Sequence, residues 1–394
     1  MPVQPITRLQ LKDKKVLVRC DFNVPMHEGK IQDSGRIDAS LDTIRYVLEH
    51  GGSAVLCSHL GRPKERSAEL SLRPVAEYLS TSLGQKVALA PDCIGDHTGK
   101  MIDALKSGEA LLLENLRFHP EEEANDRDFS HELARGKQVF VNDAFGAAHR
   151  AHASTVGVTR FLAERAAGFL MMRELEALRA VTENPKRPAI AILGGAKVSD
   201  KIGVIRNLIT KVDAILIGGA MAYTFLKAQG VAVGRSLVED DKIELARELL
   251  TEAEKKNVRI LLPSDHVVAG APEANANANT VTAIPSELMG LDIGPQTVDA
   301  FITEIAQAKT VIWNGPLGFF ELPAFANGTM RVGEALANQT GVVSIIGGGD
   351  TAAAVAHAPW AKQFTHISTG GGASLEFLEG RELPGVKALE TSNS

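Results

Sequence analysis

Cysteine is scarce in this chain: three residues in 394 (Cys20, Cys57, Cys93), odd in number and widely spaced. That pattern argues against a disulfide-built scaffold, and Cys20 and Cys57 close apolar runs, where free core thiols are commonplace. A reducing cytoplasm is the expected location. There is no excess of positive charge either. The formal net charge of -6 argues against broad nucleic-acid binding, while leaving room for a local basic pocket. No apolar run approaches the ~20 residues needed to cross a bilayer, so no membrane association is expected. The first fifteen residues are polar and basic without an apolar core, so no secretory signal is expected.

What is present fits a globular enzyme. Hydrophobic residues make up 44% and charged residues 23%. A chain of 394 residues is too long for one ordinary core, which implies two domains. Short β-branched runs alternate with longer helical patterns, the signature of parallel α/β architecture. Strands are expected near residues 16–19, 54–58, 111–113 and 139–141, with helices near 40–50, 73–83 and 129–135 between them. Further strands are expected near 189–193, 214–217, 259–262, 310–313, 342–346 and 365–368. Residues 166–182 read as one helix, ended by the Pro-rich break Asn184-Pro185-Lys186-Arg187-Pro188. This mid-chain helix is the expected domain junction. Residues 271–278 read as a surface loop, and no internal repeat is evident.

Four apolar strands in the second half are followed by glycine turns: Gly194-Gly195, Gly218-Gly219, Gly347-Gly348-Gly349 and Gly370-Gly371-Gly372. A helix is expected after each. Glycine lets the backbone approach a ligand, and a helix start presents unpaired N–H groups to an anion. One such turn is unremarkable in α/β folds; four, with Lys197 or Asp350-Thr351 beside them, favour a phosphate-binding face. Lys197 and Lys201 are four apart and are expected to share a helix face, two surface lysines being the alternative.

In parallel α/β sheets ligands sit beyond the carboxyl ends of the strands. The loops expected there in the first half are Asp21-Phe22-Asn23, His59-Leu60-Gly61-Arg62, Glu114-Asn115-Leu116-Arg117 and the run from Asn142 through Arg150 to His152. Arg36 adds a cation, and eight of the eleven histidines lie at or before His152. Arginine suits bidentate recognition of phosphate or carboxylate, so a small, multiply anionic ligand is indicated. A lone Arg or His is more often a surface or structural group. Arg62, Arg117 and Arg150 differ in following three separate strands along one sheet edge.

Other phosphate motifs fit poorly. Residues 95–100 have too short a gap for a Walker A loop, and Asp143-Ala144-Phe145-Gly146 is not the D-F-G of protein kinases. Gly347-x-Gly349-x-x-Ala352 matches a loose dinucleotide fingerprint, but the next strand ends in Ser368-Thr369-Gly370, without an acidic residue for a ribose hydroxyl. A nicotinamide dehydrogenase and a catalytically silent scaffold remain the rival readings.

Taken together, the motifs resemble those of phosphoglycerate kinases. V-R-C-D-F-N-V-P (18–25), S-H-L-G-R-P (58–63), E-N-L-R-F (114–118), N-D-A-F-G-A-A-H-R-A-H (142–152), G-G-A-K-V-S-D-K-I (194–202), M-G-L-D-I-G-P (289–295), W-N-G-P-L-G-F-F-E (313–321), G-G-G-D-T (347–351) and T-G-G-G-A-S (369–374) occur in family order. The resemblance covers essentially the whole chain.

It implies two doubly wound, parallel-sheet, Rossmann-like α/β domains joined by a hinge helix. The expected divisions are 1–170 for phosphoglycerate, 171–183 for the hinge helix, 184–379 for nucleotide, and 380–394 for a tail returning to the first domain. The implied activity is reversible phosphoryl transfer between ATP and 3-phosphoglycerate, giving ADP and 1,3-bisphosphoglycerate, with Mg2+ carried on the nucleotide. The implied phosphoglycerate residues are Asp21, Asn23, Arg36, His59, Arg62, Arg117 and Arg150, with Phe22, Leu60 and Gly61 in the same loops. Lys201, Gly218, Asn314, Glu321, Gly348, Gly349, Asp350 and Thr351 would hold the nucleotide, Gly290, Leu291 and Pro316 its base, and Asp350 the metal. Lys197, Arg36 and the helix start at Gly371-Gly372 would surround the phosphoryl group in flight. A cytoplasmic monomer that closes on its substrates is expected.

Overall fold

The computed structural model describes residues 3–390. Residues 1–2 and 391–394, the outer ends of the expected first domain and of the expected tail, lie outside the described residues. The chain divides into two compact units, one formed by the described residues up to Leu175 with those from Glu382 onward, the other by Glu176–Arg381.

The first unit holds β1 (Lys15–Arg19), α1 (Gly35–Glu49), β2 (Ser53–Cys57), β3 (Val87–Leu89), β4 (Ala110–Leu112), β5 (Val139–Asn142) and β6 (Glu164–Ala167). Its six strands lie in the order β3-β4-β2-β1-β5-β6, and every neighbouring pair is parallel. Strands buried on both faces must be apolar throughout, and Val16-Leu17-Val18 and Ala54-Val55-Leu56 are fully buried. Helix α1 buries Ile37, Leu41, Ile44 and Val47, a stripe at helical spacing, against this sheet. Each such side chain contributes about 1.5–3 kcal/mol on burial.

Helix α2 (Phe169–Thr182) carries the chain from one unit into the other. The second unit then builds β7 (Ala189–Leu193), α3 (Ile202–Leu208), β8 (Ala214–Ile217), α4 (Met221–Ala228), β9 (Arg259–Leu261), β10 (Thr310–Asn314), β11 (Val343–Gly347), α5 (Gly349–Val355), β12 (His366–Ile367) and α6 (Gly372–Leu378). Its sheet order is β9-β8-β7-β10-β11-β12, again parallel throughout. Trp313, Ile192, Phe301 and Leu336 centre its core. A small antiparallel sheet pairs His266–Ala269 with Asn279–Val281 and Met289–Ile293. Both units form the parallel α/β class expected from the alternation, in the doubly wound arrangement that the motif resemblance implies.

Three expectations need correction. The helix expected over residues 166–182 begins at Phe169, because Ala166 and Ala167 pair with Val141 and Asn142 as the end of β6. Alanine suits either state, and Gly168 separates them. Second, Gly194-Gly195 does not lead directly into a helix. Residues 194–201 form a loop, pinned where Ser199 donates its N–H (3.1 Å) and hydroxyl (2.5 Å) to Glu239, and α3 starts at Ile202. Lys197 and Lys201 therefore share no helix face. Third, the helix expected near 40–50 starts earlier, at Gly35, which places Arg36 in its first turn.

Candidate active site

In each sheet the strand order reverses about the first strand, so the carboxyl-end loops beside β1 and β7 form the crevice where α/β folds bind ligands. Beside β1, Asp21 Oδ2 accepts a hydrogen bond from Arg36 Nη1 at 3.1 Å, and the same nitrogen donates to the Asn23 carbonyl at 3.2 Å. Asn23 Oδ1 accepts the Gly61 N–H at 2.8 Å, and the Gly61 carbonyl accepts Arg117 Nη1 at 2.7 Å. Phe22 is buried beneath this loop, and its N–H donates to Ser58 Oγ at 2.8 Å. Gly61 has φ +64°, and a Cβ there would sit 2.8 Å from Leu70. One bonded network thus joins Asp21, Asn23, Arg36, Gly61 and Arg117. Arg150 stands beside it, donating from Nε to His149 Nε2 at 3.1 Å. Arg62 is exposed and lies outside the bonded network.

His59 is buried, and desolvation holds its imidazole well below the usual histidine value, helped by Arg19, Arg117, Arg36 and Arg150. Burial likewise lowers His152 to about 4, with Arg19, Arg117 and Arg150 adding to the effect. Burial is the main cause of both shifts, and the neighbouring guanidinium groups act in the same direction. Arg19 Nη2 lies 3.2 Å from His59 Nδ1. Because a guanidinium only donates, Nδ1 accepts and the proton sits on Nε2, giving an N–H for an oxyanion.

Three supports, Arg19, Glu122 and Asn115, were not legible as site residues. Arg19, 1% exposed, donates from Nε to Ser154 Oγ at 2.7 Å, and Ser154 Oγ donates to the buried Glu122 at 2.5 Å. The signal for Arg19 is a charge inside the apolar run of β1, whereas Glu122 sits in an acidic run that reads as a solvated face. Asn115, fully buried, ties Leu60, Leu70 and Arg117 together through both side-chain atoms.

Beside β7 the loops are bonded backbone to backbone. Gly194 N–H donates to the Asn314 carbonyl (3.1 Å), Gly195 N–H to Pro316 (2.9 Å), and Gly219 N–H to Leu317 (2.8 Å). A Cβ on Gly194 would lie 2.0 Å from the Pro316 carbonyl oxygen, so only glycine permits this approach. On one side, Gly290, Leu291, Pro316, Glu321 and Asp350 line a cavity of about 200 Å³ with Phe319. On the other, Lys201 Nζ donates to Asn314 Oδ1, and Thr351 Oγ1 accepts the Gly315 N–H at 2.6 Å. Asn314 Nδ2 is buried without a hydrogen-bond partner among the described residues, facing Gly347 and Gly348. Desolvation lowers the Lys201 ammonium, opposed by Asp200, Asp350 and Glu379. Gly218 packs against Leu317, Gly348 caps α5 at φ +87°, and Gly349 is its first residue. Gly371 caps α6 at φ +52°. Lys197 is exposed and outside these bonds.

A third cluster, Asp92, Cys93 and His119, has metal-ligand chemistry, with ligand atoms within 4.8 Å of one another. Its carboxylate is already engaged by His119 Nε2 (2.7 Å) and Arg66 Nη1 (3.0 Å), so it reads as an ion-pair network.

Residues 6–381 match the sequence profile of the family described as Phosphoglycerate kinase. The chain is 55% identical to the phosphoglycerate kinase of Koribacter versatilis (strain Ellin345), covering 98% of both chains. It is 54% identical to that of Chloroherpeton thalassium (strain ATCC 35110 / GB-78), covering 100% of both. The solved phosphoglycerate kinase of Coxiella burnetii superposes with a TM-score of 0.91 at 42% identity, covering 98% of this chain and 99% of that one. That of Pyrococcus horikoshii OT3 gives 0.85 at 34%, covering 98% of each. Sequence order, parallel-sheet architecture and full-length similarity converge, and the chain belongs to the phosphoglycerate kinase family, whose reaction is phosphoryl transfer between ATP and 3-phosphoglycerate.

Proposed function

We propose that the two units divide this reaction: the first binds 3-phosphoglycerate and the second binds the magnesium nucleotide. The observation that carries the reading is the set of guanidinium groups beside β1, Arg19, Arg36, Arg117 and Arg150, gathered around His59, an imidazole that burial keeps uncharged. A trianionic substrate suits this set. Asp21 and Asn23 orient Arg36 and Gly61, His59 offers Nε2–H, and Arg36, Arg62, Arg117 and Arg150 pair with the phosphate and carboxylate. Phe22 and Leu60 fix the loops from beneath.

In the second unit the cavity walled by Gly290, Leu291 and Pro316 suits a purine, and Glu321 suits its ribose. The partnerless Asn314 Nδ2 and the glycine turns at Gly218, Gly348 and Gly349 suit phosphate oxygens, with Lys201 and Thr351 beside them. Asp350 is a hard oxygen donor at this edge and fits Mg2+. The metal, bound with the nucleotide, would supply charge neutralisation at the transferring phosphate.

The acceptor is a carboxylate, ionised far below neutrality, so no general base is required. Lys197, Arg36 and the N–H groups at Gly371-Gly372 would neutralise the charge that spreads over the phosphoryl oxygens. In-line transfer needs reacting atoms about 3–3.5 Å apart, which motivates closure about α2. A cytoplasmic monomer suffices for this scheme.

Isothermal calorimetry on the full chain tests the division. Arg62→Ala is expected to abolish the heat of 3-phosphoglycerate binding and leave Mg-ADP binding intact. Asp350→Ala is expected to do the reverse. Loss of both heats in either variant would sink the division of labour. Small-angle scattering tests closure, with contraction expected only when both substrates are present.

A further inference from the structure

We infer that Asp143, bridged by Thr43, is a positioning residue that clamps the first turn of α2 to α1, so that Arg36 and the helix leading to the second unit move as one block. The inference rests on the closure reading above and adds the part that transmits it.

An α-helix leaves its first N–H groups without partners inside the helix, and a negative charge is favoured there. In α2 the partners come from far away in sequence. Asp143, which follows β5, is fully buried, and its Oδ1 accepts the Met171 N–H at 3.1 Å. The Leu170 N–H and the Thr43 hydroxyl lie beside this carboxylate and favour its ionised form. Thr43 Oγ1 in turn accepts the Phe169 N–H at 2.9 Å. One carboxylate and one hydroxyl thus take the N–H groups of Met171 and Phe169 in the first turn. The fit is close, since a Cβ on Gly168 would lie 2.2 Å from Asp143 Oδ1.

Helix α1 supplies the other jaw. Thr43 lies seven residues after Arg36, two turns along the same face. Tyr46 meets Phe169 edge-on at 5.3 Å, and Arg173 donates to Asp42 at 3.1 Å and to the Ala39 carbonyl at 3.3 Å. The start of α1 is held by the Arg36–Asp21 ion pair at 3.1 Å. Any shift of Arg36 along the helix axis therefore reaches the first turn of α2.

The clamp also titrates. The other titratable and charged groups facing Asp143 are Arg173 on α2 and the buried Cys20 thiol after β1. Among the described residues Asp143 Oδ2 has no hydrogen-bond partner, and burial raises the carboxyl to about 7. A raised carboxyl makes the ionised form a cost to folding: the stability held at acid pH is lost as pH rises through about 7. The charge that grips the helix is thus a net liability to the fold.

Asp143→Asn separates positioning from structural support. At pH 8 its melting temperature is expected to equal or exceed that of the parent. Its kcat is expected to fall about tenfold, the worth of a buried charge-assisted hydrogen bond, with KM for both substrates nearly unchanged. The parent is expected to show an acid limb of kcat near pH 7, and the variant is expected to lack it. Thr43→Val should lower kcat comparably, and Thr43→Ser should restore it; if Asp143→Asn fails to fold, this pair decides. Parental kcat in Thr43→Val, or an unchanged kcat and acid limb in Asp143→Asn, overturns the clamp. Scattering on the parent separates the two ideas. Contraction with both substrates alongside unaltered kcat in the variants rejects the clamp alone, whereas no contraction rejects closure and the clamp with it.

Discussion

Replacing Asn115 by aspartate should damage the protein more than replacing it by alanine, although aspartate has nearly the same shape. Asn115 is fully buried where β4 ends. Its Oδ1 accepts the N–H groups of Leu60 and Arg117, both at 3.1 Å. Its Nδ2 donates to the carbonyls of Leu60 at 2.8 Å and Leu70 at 3.0 Å. Alanine removes all four bonds, a loss of about 4 kcal/mol at about 1 kcal/mol each. Aspartate keeps the two acceptor bonds and loses the two donors, about 2 kcal/mol. It also sets an anionic oxygen against two carbonyls. A carboxyl pKa raised by about 3 units there would cost about 4 kcal/mol more at pH 8. The total, about 6 kcal/mol, corresponds to a fall of roughly 12–24 °C in a domain of this size, against about 8–16 °C for alanine.

The sign with pH is the sharper test. A raised folded-state pKa means that stability present in acid is lost as pH rises, so the aspartate variant should recover at pH 5 and the alanine variant should not. Scanning calorimetry of the full chain at both pH values measures this, with KM for 3-phosphoglycerate rising as loop 59–62 loosens. An aspartate variant that melts within a few degrees of the parent at pH 8, or loses more at pH 5, would refute the reasoning.

Two further outcomes are expected. Lys197→Ala should lower kcat by about 10²–10³ while changing KM little, as for a donor used only as charge develops; steady-state kinetics with near-normal kcat would remove that role. His59 and His152 are depressed in the fold, so the stability they confer is present above the unfolded-state value and lost as pH falls. Calorimetry from pH 7 to 5 should therefore show a steeper decline in the parent than in His59→Gln or His152→Gln, and parallel declines would count against neutral imidazoles.

Both sheets were legible because their strands are buried on both faces and must be apolar runs, as in Val16-Leu17-Val18 and Ala189–Leu193. The short strand Val87–Leu89 and the small sheet on His266–Ala269 were missed, being too short or too polar to give a period. The glycine turns were legible as turns, but not what they touch. That Gly194 lies against Pro316 depends on β7 pairing with β10, a contact across more than a hundred residues. Arginines following strands stood out as candidate ligand groups. Their supports did not, because Asn115 looks like any polar loop residue and Glu122 like part of a solvated acidic face until the segments are brought together. Lys197 and Lys201 misled for a local reason: four-residue spacing implies a shared face only within a helix, and the Ser199–Glu239 bonds hold that segment as a turn.

The distribution of two rare residue types gives the chain a built-in pair of reporters. All three thiols, Cys20, Cys57 and Cys93, are free and buried in the first unit, while both tryptophans, Trp313 and Trp360, are buried in the second. A thiol reagent added to the native protein therefore waits for the first unit to open, and indole emission follows the second, with no label introduced. Under fast reclosing, the labelling rate gives the opening free energy of one unit alone. Comparing the two signals in one denaturant series tells whether the halves of this enzyme melt together or apart.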